Sequence, residues 1–185
     1  MVIGPIIILA VILLWIVATY NRFITFRNRT DEAWSDVEVQ MKRRYNLIPN
    51  LISAVKGYAK HESTTLEKVT AARTAAMGAQ SLEDHAKTEN VLSGALKSLF
   101  AVSEQYPDLK ANQNFLQLQD ELRDAEDKIQ ASWRFYNANV RDYNTKLEQF
   151  PSNIVGKTFH FTGKIFFDID DEREAHIKEV PKVEF

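Results

Sequence analysis

The chain contains no cysteine, which excludes disulfides, thiolate nucleophiles and zinc sites built on cysteine, and leaves the redox compartment unspecified. Glycine and proline are scarce, 6 and 5 among 185 residues. Turn-rich sheet architectures are disfavoured on that composition, and no glycine-rich phosphate loop, nucleophile elbow or dinucleotide fingerprint is present. Net charge is also nearly absent, since 23 basic and 25 acidic residues leave a formal −2. The basic footprint of a nucleic-acid-binding protein is missing, and no nucleic-acid partner is expected.

Histidine is thin and scattered: His61, His85, His160 and His176 fall on separate segments, and "HEST" at His61 lacks the second histidine of a zinc helix. The paired Glu-x-x-His motifs of carboxylate-bridged metal bundles are absent as well. "DIDDE" at Asp168 to Glu172 resembles the opening of a calcium loop without its glycine or its distal glutamate, and reads as a solvated acidic run. The expectation is a protein with no catalytic residue, metal, cofactor or small-molecule substrate, and hence not an enzyme.

What the chain does have is apolar length at its start. Val2 to Tyr20 carries no charge, and Arg22 is the first charged side chain. About 20 helical residues, at 1.5 Å each, match the roughly 30 Å hydrocarbon core of a bilayer. Trp15 and Tyr20 suit an interface, and Gly4 and Pro5 lie near the other end. With no basic residue before the run and no small-residue cleavage site after it, an anchor is favoured over a cleaved signal. Arg22, Arg27 and Arg29 follow it closely, so the positive-inside rule places the N-terminus outside and the long C-terminal body in the cytoplasm.

Beyond the anchor the apolar residues recur every three or four positions. Trp34, Val37, Met41, Tyr45, Ile48, Leu51 or Ile52, Val55 and Tyr58 form one helical stripe. Thr30 with Asp31 and Glu32 can open a new helix, or the membrane helix can run straight on; both readings stand. Pro49 falls inside the stripe. It removes a backbone hydrogen bond and crowds the Tyr45 carbonyl, but the stripe stays in phase beyond it, which favours a kink over a terminus. Leu66, Val69, Ala72, Ala76 and Met77 predict a second helix ending near Gly78. "SLED" at Ser81 to Asp84 reads as a capping box, and Leu82, Leu92, Leu96, Leu99, Phe100 and Val102 as a third helix. "YPDLKAN" at Tyr106 to Asn112 is a turn. Phe115, Leu118, Leu122, Ala125, Ile129, Trp133, Tyr136, Val140, Tyr143, Leu147 and Phe150 then predict one long helix with a coiled-coil-like seam, ended by Pro151.

After Pro151 the pattern alternates around Phe159, Phe161, Ile165, Phe167 and Ile169. Period two predicts an extended tail or short strands packed on the bundle, with the closing "VPKVEF" docking there too. Candidate interaction residues are the basic group Lys42, Arg43 and Arg44 in "KRRY", able to meet phosphate or anionic lipid, and the tail phenylalanines Phe159, Phe161, Phe166 and Phe167, able to meet a partner or the membrane surface. A solvated helix face is the ordinary reading of "KRRY".

Two blocks carry a family resemblance. "YNRFITFRNRTDEAWSDVEVQMKRRYNLIPNLISAVKGYAKHE", Tyr20 to Glu62, and "WRFYNANVRDYNTKLEQFPSNIVGKTFHF", Trp133 to Phe161, resemble the signature regions of the bacterial LemA proteins. Phe23 and Ile24 stand where smaller aliphatic residues are expected in that pattern. The resemblance implies a single-pass protein of the bacterial inner membrane with a cytoplasmic helical bundle. It supplies no catalytic residue. It also implies genomic company with a membrane metalloprotease or TPM-domain proteins and a relative in magnetosome membranes. Together these readings predict an all-α protein: a transmembrane helix over 1–21, a long antiparallel bundle of three to four helices over 22–150, and a short extended tail over 151–185. A scaffold or adaptor that self-associates or binds another envelope protein is the expected role; an anionic-lipid-binding or membrane-shaping module is the alternative.

Overall fold

A computed structural model describes residues 3–59 and 61–167. The acidic run at Asp168 to Glu172, His176 and the closing "VPKVEF" lie outside them. The helices are α1 (Ile3–Tyr58), α2 (Ser63–Met77), α3 (Leu82–Ser103), α4 (Pro107–Lys110), α5 (Gln113–Glu148) and α6 (Ser152–Thr158). No strand occurs among the described residues, and the fold is all-α.

The question left open at Thr30 is answered by continuity: α1 carries both the membrane-length run and the amphipathic stripe without a break. The Thr30 hydroxyl donates back to the Phe26 carbonyl at 2.9 Å, as an interior helical threonine does, and caps nothing. Large apolar side chains from Ile3 to Val17 are exposed, Ile16 apart, and one 18-residue stretch of α1 is long and apolar enough to cross a membrane.

Two compact units follow from the packing. The first joins α1 up to Met41 to Glu126–Phe166, and its core includes Phe23, Ala33, Val37, Ile129, Tyr136, Val140, Tyr143 and Val155. The second is built on Lys42–Ala125. Its core takes Tyr45, Ile48, Leu51 and Val55 from α1, Leu66, Val69, Ala72 and Ala76 from α2, Leu92, Leu96 and Leu99 from α3, and Phe115 and Leu122 from α5. Helices α2 and α3 pack along each other, and the small residues of α2 permit that close approach.

The predicted punctuation is present at α3. Ser81 accepts from the Asp84 amide at 3.0 Å and donates to the Asp84 carboxylate at 2.7 Å, a bond that holds this carboxyl below its usual range. The stretch read as a turn at Tyr106 to Asn112 contains α4, with Pro107 at its first position. Asn112 then accepts from the Phe115 amide at 3.1 Å and opens α5.

One prediction needs correcting. Ser152–Thr158 is helical, not extended. The Ser152 hydroxyl lies on the last turn of α5, within 2.8 Å of the Lys146 carbonyl and 2.9 Å of the Gln149 carbonyl, so the chain re-enters helix just past Pro151. Gly156 lets α6 sit close, since a Cβ there would come within 2.9 Å of a Leu147 methyl and 3.5 Å of the Phe23 ring. A Schellman turn ends α6: the His160 amide bonds the Lys157 carbonyl at 3.2 Å and the Phe161 amide the Gly156 carbonyl at 2.9 Å. His160 takes the left-handed φ of 55° that this motif requires.

Pro49 lies inside α1, which runs on to Tyr58. A residue with an N–H at this position would donate to the Tyr45 carbonyl; proline has none. Arg73 of α2 supplies the donor, its Nε 2.7 Å from that carbonyl. The proline therefore creates a docking point for α2. Arg73→Met should destabilise the protein by about 1–3 kcal/mol, because a part-buried carbonyl loses its donor. In a Pro49→Ala background the same change should cost little, since the alanine amide restores the helical bond. Chemical denaturation of the four proteins measures this coupling, and equal costs in both backgrounds would contradict it.

Candidate functional site

Two polar assemblies stand out, one in each unit. In the second unit Arg44 and Glu89 form an ion pair with both side chains almost wholly buried, 2% and 1% exposed. The Tyr45 hydroxyl donates to Glu89 in a short contact, and Arg44 donates to the Ser93 hydroxyl at 3.2 Å. Burial pushes the Tyr45 phenol above its usual range, against the opposing pull of the Arg44 charge. It therefore stays a donor at neutral pH. The cluster joins α1 to α3 by a bonded pair of opposite charges, an arrangement that fixes register better than it adds stability.

This changes the reading of "KRRY". Arg44 is buried against Glu89, and Arg43 pairs with Asp124 at 2.6 Å; Lys42 is exposed. The three do not form one solvent-facing basic patch. Glu89 escaped the sequence reading, although it is in helical phase with Leu92, Leu96 and Leu99. A carboxylate on an apolar stripe is the signal that identifies it.

The second assembly holds the segment after α6 onto the first unit. The Tyr143 hydroxyl donates to the Thr162 carbonyl at 3.0 Å and the Tyr136 hydroxyl to the Ile165 carbonyl at 2.9 Å. Between them Asn144 reads the main chain of Lys164 in both directions, donating to its carbonyl at 2.8 Å and accepting from its amide at 2.9 Å. The Lys164 ammonium reaches Asp31 of α1 at 2.7 Å. The segment is a strap: irregular in its backbone, yet bonded as a sheet strand would be. Burial raises the Tyr136 and Tyr143 phenols and keeps both protonated in this role.

Of the phenylalanines, Phe161 stacks on Phe23 with centroids 5.0 Å apart, and Arg27 lies 6.0 Å from its ring centre. Phe159 meets Tyr20 edge-on at 4.9 Å and keeps an exposed face, Phe166 is half exposed and Phe167 is buried. Phe23, the departure from the resembled pattern, is fully buried at the centre of this group with Tyr143 and Val155. An open cleft of about 300 Å³ beside the strap is lined by residues including Asn144, Glu148, Lys157 and Phe161. Among the described residues no group of three or more His, Asp or Glu side chains is placed to hold a metal.

The LemA family model matches residues 33–185, most of the chain. The protein belongs to the LemA family. A protein named LemA from Metamycoplasma hominis is 32% identical over 145 residues, covering 74% of this chain and 63% of that protein. A magnetosome protein, MamQ 2, from Paramagnetospirillum magneticum is 26% identical over 162 residues, 74% of this chain and 60% of that protein. MamQ of Magnetospirillum gryphiswaldense is 25% identical over 159 residues, 71% of this chain and 58% of that one. The chain thus spans roughly 60% of the length of these relatives.

Each assembly in this LemA-family chain makes a distinct prediction. Glu89→Leu alone should destabilise by about 3–5 kcal/mol, because it strands the Arg44 charge in the core. Adding Arg44→Met should recover most of that loss, and denaturation midpoints of the single and double variants test it; a double variant as weak as the single contradicts the pairing. Asn144→Ala should leave the melting temperature nearly unchanged while amide exchange of residues 161–166 rises well above that of α5. Unaltered exchange there would show that the remaining contacts hold the strap without Asn144.

Proposed function

We propose that the chain is a non-enzymatic, membrane-anchored helical scaffold or adaptor of the bacterial inner membrane, spanning it once with the N-terminus outside and the body in the cytoplasm. It acts by associating with itself or by binding another envelope protein, a membrane protease among the candidates. The observation that carries this reading is the exposed apolar run from Ile3 to Val17, joined within one helix to residues that line two cores. A bilayer is the natural cover for such a run, and the helix then presents a folded body at the membrane surface. Supporting it, the buried ionisable pair at Arg44 and Glu89 is engaged in packing, while Phe159 and Phe166 of the strap region remain available for contact.

The reading as an anionic-lipid module draws on Arg22, Arg27 and Arg29, exposed just beyond the apolar run. It draws little from Lys42, Arg43 and Arg44, two of which hold protein carboxylates. The deciding measurement is the mass of the full-length protein in nanodiscs, with crosslinked neighbours identified after extraction from its native membrane. A discrete homo-oligomer, or a stoichiometric second protein, is the expected result. Turnover of a substrate by the purified protein, lost on changing one polar residue, would overturn the scaffold reading.

A further inference from the structure

The end of α5 and all of α6 lie beside the point where the apolar run stops. Val155 packs with Phe23 in a cluster that also takes in Ile16, Tyr20 and Phe26. Ile16 belongs to the apolar run and Tyr20 is its last residue. Phe159 rests against Tyr20. If Ile3 to Tyr20 crosses the hydrocarbon, about 20 residues for about 30 Å, these contacts set α6 at the depth of the headgroups.

Helix α6 turns Ser152, Val155 and Gly156 inward. Ile154 on its outer side is 56% exposed, and the residues flanking the helix are exposed too, Phe150 before it at 80% and Phe159 after it, edge-on to Tyr20, at 47%. Three large apolar side chains within ten positions, at the mouth of a membrane span, are costly in water and well placed in an interface. Two exposed cations belong to this region, Lys157 on α6 and Arg22 on α1; Glu148, the last residue of α5, is exposed as well and lines the same cleft as Lys157.

We propose that Phe150, Ile154 and Phe159 form a second, interfacial membrane contact, in which the α5–α6 elbow rests in the headgroup region of the same bilayer that holds the anchor. Lys157 and Arg22 take anionic headgroups on either side. The proposal builds on the anchor reading and adds to it: the body is held by the elbow as well as by the span, which removes its freedom to swing about the end of the apolar run. This is the arrangement of an amphipathic interfacial segment, supplied here by an elbow in place of a long helix.

Because the chain has no cysteine, single nitroxide labels can be placed one at a time in the full-length protein, at Leu9→Cys, Phe150→Cys, Ile154→Cys and Val91→Cys. Each is reconstituted in vesicles of phosphatidylcholine and phosphatidylglycerol, and collisions with oxygen and with a water-soluble nickel chelate are compared. Labels at 150 and 154 should favour oxygen over nickel several-fold relative to 91, an exposed position on α3, and should approach the behaviour of 9. An aqueous signature at 150 and 154 with a lipid signature at 9 would overturn the elbow contact and leave the anchor standing. Low access to both reagents at 150 and 154 would also overturn it, by showing protein cover from a second copy or partner. An aqueous signature at 9 would remove the anchor and this proposal together.

Discussion

A carbonyl without its usual donor ties two helices of the second unit together. Pro49 denies the Tyr45 carbonyl an intrahelical bond, and the Arg73 guanidinium supplies one from α2. The exchange keeps α1 running to Tyr58, so the stripe through Ile48, Leu51 and Val55 stays in phase with the core that α2 and α3 complete. It also gives α2 a directional bond at a point where its small residues offer contact but little specificity. From the preceding residue, the Arg44–Glu89 pair does the same for α3. The apolar stripes supply the bulk of the burial energy, and these polar bonds select which register of helix against helix is kept.

The helices were legible in the sequence because their signals are periodic and local. The stripes of α1 and α5 and the serine cap of α3 lie within a few residues of what they control, whereas the stretch read as a turn at Tyr106 to Asn112 holds the short α4. Pro49 was legible only in part: the phase of the stripe showed that the helix continues, but no local pattern names Arg73 as the donor. The burial of Arg44 and the part played by Glu89 were not legible for a related reason. Each is a charge at an in-phase apolar position, and hydrophobic periodicity alone treats a charge as an exposed face when its partner lies 45 residues away.

The region after Pro151 was the least legible. Alternation around Phe159 and Phe161 suggested extended chain, whereas Ser152–Thr158 is helical because Ser152 bonds the end of α5 and Gly156 fits between Leu147 and Phe23. Both are tertiary effects. A seven-residue helix with a central glycine has almost no propensity of its own. Phe23 shows the same dependence on context, since its value comes from Phe161 and Tyr143, far along the chain.

Most of the hydrogen bonds that seat the strap are made to its main chain. Tyr136, Tyr143 and Asn144 bond the carbonyls and an amide of residues 162, 164 and 165, and the side chains of Thr162 and Ile165 stay exposed. At 162 and 165 an interaction that reads only peptide groups is indifferent to the side chain carried, whereas Lys164 also pairs with Asp31. Sequence drift at these two positions can redraw the chemistry that this face presents to its surroundings while the segment stays seated.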